Sequence, residues 1–156
     1  MKQRTFTLST ALAAPADIVW WRVTTPAGIN DELAPWLRMT VPAPMVGRTL
    51  ADVPVGSPLG RSWLLLFGVL PVEYDAITLA RVEPLGFVEA SSMLSMRAWG
   101  HARSVTPTPT GCTVTDRLTW TPRLPGLGAL SSMIVAALFR HRHARLRRAF
   151  GEGTAG

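Results

Sequence analysis

The chain holds one cysteine, one tyrosine and one lysine, and each scarcity excludes something. A lone cysteine, Cys112, cannot form an internal disulfide, which points to a reducing compartment and a cytoplasmic location. Charged residues make up 17% of the chain against 47% hydrophobic ones, a balance that excludes a disordered chain. No apolar run reaches the ~20 residues a membrane helix needs. The best candidate, Gly126 to Phe139, is shorter, carries Ser131 and Ser132, and runs into a basic cluster. The start, Met1 to Ala16, lacks the continuous apolar stretch of a signal peptide. Thr5, Thr7, Ser9 and Thr10 interrupt it, and Phe6 and Leu8 alternate with polar residues as in a strand. There is no Gly-x-Ser-x-Gly, and Cys112 has no evident basic partner, so nucleophilic catalysis has little support. Gly47-Arg48 and Gly56 to Gly60 lack the ending of a phosphate-binding loop. No motif calls for a cofactor.

What is present is enough apolar sequence for one domain with a real core, here read as residues 1–156. The net charge is +6, carried almost wholly by arginine. Such a balance suits acidic partners or simply keeps a surface soluble. The scattered acidic residues favour solubility, and no nucleic-acid partner is expected.

Arg4 to Leu12 reads as a first strand. Pro15 and Asp17 then open a short helix that Pro26 stops near Thr24-Thr25. A second short helix runs from about Ala27 to Trp36. Strand patterns follow at Val46 to Val53, Arg61 to Phe67, Val72 to Val82 and Phe87 to Met93. Arg97 to Val105 and Thr113 to Thr121 form a hairpin around the Pro- and Thr-rich turn Thr106 to Gly111. From Gly126 or Leu127 to Phe150 the period is helical. Val135, Leu138, Phe139, Arg142, Leu146 and Phe150 share one face, and the first half is apolar nearly all round, as in a helix buried on several sides. Strands in succession without helices between them imply an antiparallel sheet. The expected class is therefore α+β, with a curved antiparallel sheet of about six to seven strands around a long C-terminal helix, and two short helices after the first strand. Such a sheet leaves room for an apolar pocket.

The order resembles the helix-grip fold of the START-related SRPBCC superfamily, which includes polyketide cyclases and birch-pollen-allergen-like proteins. The stretch Ala14-Pro15-Ala16-Asp17-Ile18-Val19-Trp20 is similar to that family's first strand-to-helix junction. Trp99-Gly100-His101, Asp116-Arg117-Leu118 and Phe139-Arg140-His141-Arg142-His143 resemble a bacterial branch with a Trp-x-His strand, an Asp-bearing strand and an Arg-His-rich last helix. The resemblance covers nearly the whole chain. It implies a cavity for a hydrophobic small molecule of lipid, polyketide or aromatic type, and no single reaction, because one fold hosts many activities. A carrier and a cyclase- or dehydratase-type enzyme both fit, as a monomer or a homodimer. A third reading gives the basic helix end, Arg140 to Arg148, to RNA or anionic lipid. It would show steep salt dependence, but the stretch is short and has few aromatics.

The polar candidates are His101 and Asp116. Period-2 alternation puts Asp116 among Val114, Leu118 and Trp120, and His101 among Trp99, Arg103 and Val105. A register pairing Trp99 with Leu118 sets His101 opposite Asp116. The pair either orients a general base or is a satisfied polar cluster locking helix to sheet. Arg142 lies in the apolar helical stripe and either turns inward or snorkels. Trp63, Leu65 and Phe67 line a pocket or fill the core, and Trp99, Trp120 and Leu138 are further lining candidates. Tyr74 either donates at a cavity mouth or sits on the surface. His141 and His143 lie ~200° apart on a helix and cannot share one metal ion. No metal site is expected.

Overall fold

The computed structural model describes residues 2–154. Met1, Ala155 and Gly156, the ends of the expected domain span, lie outside the described residues. The elements run β1 (Arg4–Leu12), α1 (Ala16–Thr24), α2 (Pro26–Leu33), β2 (Leu37–Met39), a 3-10 turn (Ala43–Met45), β3 (Pro58–Leu66), β4 (Leu70–Glu83), β5 (Gly86–Met93), β6 (Met96–Thr108), β7 (Gly111–Pro122) and α3 (Gly128–Phe150). One antiparallel sheet takes the order β1-β7-β6-β5-β4-β3-β2. The seven strands, the two short helices and the long last helix match the expected α+β architecture. Among the described residues no helix is long and apolar enough to cross a membrane.

Thr25 marks the corner between the first two helices. It follows the last residue of α1 and caps α2, where its hydroxyl accepts from the Gly28 N–H at 3.1 Å. Pro26 occupies the first turn of α2, as its missing N–H allows. The corner needs a glycine at Gly28, because a Cβ there would lie 1.8 Å from the Arg22 carbonyl oxygen. α2 ends three residues earlier than expected. Ala34 precedes Pro35 and is held extended at ψ 148°.

Three expectations change. Val46 to Val53 forms no strand. The segment lies between Pro44 and Pro54, Gly47 turns the chain at φ 71°, and it folds as turns that bury Leu50 and Val53, with Met45, against Ile77, Leu79 and Phe87. The strand in this region is instead β2, whose three residues are too few to show alternation. The β6–β7 hairpin closes on Pro109-Thr110, so Trp99 pairs with Trp120, His101 with Leu118 and Arg103 with Asp116. The tight turn sets a register two residues away from the expected one. Because two is the side-chain period, every residue keeps its face. Finally, the first half of α3 is not buried all round. Leu130, Met133 and Ile134 are 51%, 69% and 56% exposed. Only its later half is gripped, with Val135, Phe139, Arg142, His143 and Leu146 buried.

Candidate functional site

α3 packs on the β1 and β7 side of the sheet. The concave surface of β3 to β6 is left facing α2, the turns after β2 and the flank of α3. The space between them is a cavity of about 490 Å³. Alternation makes it apolar: Leu64, Ile77, Leu79, Phe87, Met93 and Trp99 all point inward. The exposed residues Val41, Val72, Leu127, Leu130 and Ile134 also line it and rim a mouth beside the first turns of α3.

Of the expected site residues, Trp99, His101, Leu138 and Arg142 line this cavity. Arg142 turns inward: it is 8% exposed, and its Nε donates to Glu32 at 2.9 Å while its guanidinium sits 4.9 Å from the Phe139 ring centre. Asp116 and Trp120 are buried behind the wall, and the Trp120 indole N–H donates to Ser131 Oγ at 3.0 Å. Trp63, Leu65, Phe67 and Tyr74 do not line the cavity. Ser62 and Leu64 take the inward positions of β3, so parity sends Trp63 and Leu65 to the other face. There Trp63 packs edge-on to Tyr74 at 5.4 Å, with Arg61 at 4.7 Å from the Tyr74 ring. Phe67 occupies a turn at φ 52° and leans on Trp36, with ring centres 6.1 Å apart.

Behind the wall lies a closed ionic network. Asp116, fully buried, is contacted by four N–H groups. Arg103 gives Nε and Nη2 at 2.7 Å each, His101 gives Nε2 at 2.7 Å and His143 gives Nε2 at 2.8 Å. Both lone pairs of each carboxylate oxygen are thereby used. Arg103 reaches across to Glu32 with Nη1 at 2.7 and 3.0 Å, and Glu32 takes the Arg142 bond as well. The His143 ring completes itself by accepting from the Thr10 hydroxyl at 2.7 Å. Burial opposes charge on both acids, but the adjoining guanidinium of Arg103 prevails. It holds Asp116 well below the usual carboxylate range and, with Arg142, lowers Glu32. The same two carboxylates, against the opposing effect of burial, raise the proton affinity of Arg103.

His101 connects this network to the cavity. Its Nε2–H is committed to Asp116, which leaves Nδ1 on the cavity side, 3.8 Å from Glu89 Oε2. Phe87 and Phe139 stand edge-on to the imidazole at 5.2 and 5.1 Å. His141, by contrast, is directed to the Ala34 carbonyl oxygen at 2.8 Å.

A family model described as "Domain of unknown function (DUF8410)" matches residues 10–150. The chain belongs to the DUF8410 family. No curated protein matches its sequence. Among solved structures, a protein from Chromobacterium violaceum is 14% identical, with a TM-score of 0.71 over 96% of this chain and 99% of that one. A START superfamily protein from Mycobacterium smegmatis is 12% identical, with a TM-score of 0.67 over 95% and 96%. Norcoclaurine synthase from Thalictrum flavum, in complex with dopamine and hydroxybenzaldehyde, is 13% identical, with a TM-score of 0.63 over 95% and 86%. The fold of this DUF8410 chain is thus the helix-grip fold of the START-related superfamily.

Several further residues around the cavity carry a legible signal in the sequence. Glu89 alternates with Phe87 and Asp75 with Ile77 and Leu79, so period 2 places both acids on the inner face. His143 follows Phe139 by four residues and shares its flank of α3. Alternation places Arg103 on the inner face, but no local pattern names its partner. Glu32 gave no signal, because its short helix meets Arg103 only through the tertiary fold.

Proposed function

We propose that the chain binds a hydrophobic small molecule of lipid, polyketide or aromatic type in the internal cavity. The observation that carries this reading is the volume of about 490 Å³ behind an apolar mouth, which falls within the ~300–1,000 Å³ of ligand pockets. The norcoclaurine synthase neighbour, which holds small aromatic compounds on the same fold, supports it. We read the chain as a single cytoplasmic domain, monomeric or homodimeric, without a nucleic-acid partner. Much of the basic helix end is engaged within the fold: Arg145 binds Asp31 at 3.0 Å and Arg147 lies 3.6 Å from Glu152.

Native mass spectrometry of the purified protein followed by denaturing extraction tests the reading. An apolar compound is expected to co-purify. Ile134→Trp, at an exposed position on the mouth, is expected to lose that compound while melting as the parent does. A wild-type protein that is empty and also unmoved by a thermal-shift screen of hydrophobic compounds would overturn the reading.

One observation favours an enzyme of cyclase or dehydratase type in the same cavity. Asp116 fixes His101 in one tautomer and leaves Nδ1 as a proton acceptor at the wall. On this reading, a bound compound is converted to an isomer or a dehydrated product, detected by chromatography and mass. His101→Gln should then lower kcat by about a hundredfold or more with KM little changed. Conversion at the parent rate by the variant would remove His101 from the chemistry.

A further inference from the structure

Two carboxyls face the cavity from neighbouring strands. Asp75 of β4 and Glu89 of β5 both line it, at 6% and 8% exposure. Glu73, nearer the mouth, is already engaged: its carboxylate accepts from the Ser95 hydroxyl, the Ser95 N–H and the Tyr74 N–H. Glu89 Oε1 accepts from Ser91 Oγ at 2.6 Å, and its Oε2 lies 3.8 Å from His101 Nδ1. Asp75 Oδ1 is buried and has no donor among the described residues. Burial first, and the Glu89 charge second, push the Asp75 carboxyl well above its ordinary value. Both effects favour the protonated form of Asp75.

The cations of the wall make no hydrogen bond to Asp75 among the described residues. Arg142 Nε is committed to Glu32 and His101 Nε2 to Asp116. No cluster of three metal-ligating side chains forms among the described residues. The missing partner of Asp75 is therefore a donor that arrives with the ligand. A neutral hydroxyl would satisfy one oxygen but leave the facing pair of Asp75 and Glu89 without a counter-charge. A protonated amine does both, and its charge-assisted bonds are the stronger kind.

We propose that the ligand is an apolar molecule bearing one protonated amine, and that Asp75 and Glu89 receive that amine. This rests on the reading that the cavity binds an apolar small molecule. The ammonium takes the place of the Asp75 proton, and the proton leaves to solvent. The groups around it are Glu73 and Asp75 from β4, Glu89 from β5, His101 from β6 and Arg142 from α3, with Glu32 of α2 behind Arg142. Arg142 and Glu32 offset each other, so the ammonium meets a net negative wall.

Naphthylethylamine and its neutral analogue naphthylethanol share one apolar body and separate the two ideas in a calorimetric titration. The parent is expected to bind the amine at least about tenfold more tightly than the alcohol. In Asp75→Asn the alcohol should bind as before and the preference for the amine should disappear. This isosteric change removes a carboxyl that burial disfavours, so the melting temperature should hold or rise, and Glu89→Gln provides a second variant with the same expected loss of preference. Equal binding of amine and alcohol, or a preference that survives both substitutions, would overturn the amine site and leave the cavity reading standing. Binding of neither probe would overturn this proposal, and an empty protein on extraction would then remove the cavity reading as well.

Discussion

Arg103→Met is expected to destabilise the protein by about 3–5 kcal/mol, the cost of stripping one partner from a buried ionic network. Methionine keeps the stem and removes the guanidinium. Two carboxylates that Arg103 serves at 2.7 Å, Asp116 and Glu32, then stay buried with less compensation. Asp116 retains His101 and His143, and Glu32 retains Arg142, so the loss is large but not total. For a chain of this size the change corresponds to a melting temperature lower by roughly 10 °C. Urea unfolding checks it. The triple variant Glu32→Gln, Arg103→Met and Asp116→Asn should recover part of the loss, because it removes the stranded charges together. A loss below about 1 kcal/mol in Arg103→Met would mean that water reaches the network and that Arg103 is not its hub.

Acid should unfold the protein through the same residues. Asp116 and Glu32 have folded-state proton affinities lowered by Arg103, whereas in the unfolded chain they titrate near ~4. Their stabilisation is therefore complete above the unfolded values and is lost as pH falls through them toward the folded ones. Over that interval the unfolded chain takes up protons that the native state refuses, at up to about 1.4 kcal/mol per pH unit for each carboxylate. Asp75 has the opposite sign. Its folded proton affinity is raised by burial and by Glu89, so its contribution improves as pH falls toward the unfolded value. Stability should thus rise slightly from neutral to mildly acid conditions and then fall steeply below about pH 4. Urea midpoints at roughly pH 7, 5 and 3 test this curve. A midpoint that does not fall between the last two would show that Asp116 and Glu32 are not charged partners of Arg103 in solution.

The strength of the network bears on function through His101. A histidine whose Nε2–H is held by a carboxylate that is itself held by Arg103 and His143 cannot rotate away from the cavity without breaking several bonds. On the proposed enzymatic reading, the arrangement would serve stability and orientation together. The same bonds that lock α3 and α2 onto the sheet leave Nδ1 on the cavity side.

How much of this was legible depended on sequence distance. The β6–β7 hairpin was readable because alternation is local. Asp116 and His101 reached the same face although the assumed register was two residues out, since an even slip preserves parity. Trp63 and Leu65, expected to line a pocket or fill the core, and Tyr74, left between mouth and surface, lie off the cavity for the converse reason. In β3 and β4 apolar or aromatic residues occupy both faces, so pattern cannot say which set is inner, and only pairing to the neighbouring strands decides it.

Apart from β2 and the turns over 46–53, the sequence by itself determined the element types, their order and the antiparallel class, because periodicity, proline placement and turn chemistry act within a few residues. It also determined that an acid and a histidine would share an apolar surface. Tertiary structure alone decided that Glu32, from a short helix 71 residues before Arg103, would close the network, and that Asp75 would be left without a donor beside Glu89. It likewise decided that the first half of α3 would rim a mouth instead of entering the core. Those outcomes depend on how sheet curvature sets the distance between sheet and helices, a property of the whole chain that no local pattern encodes.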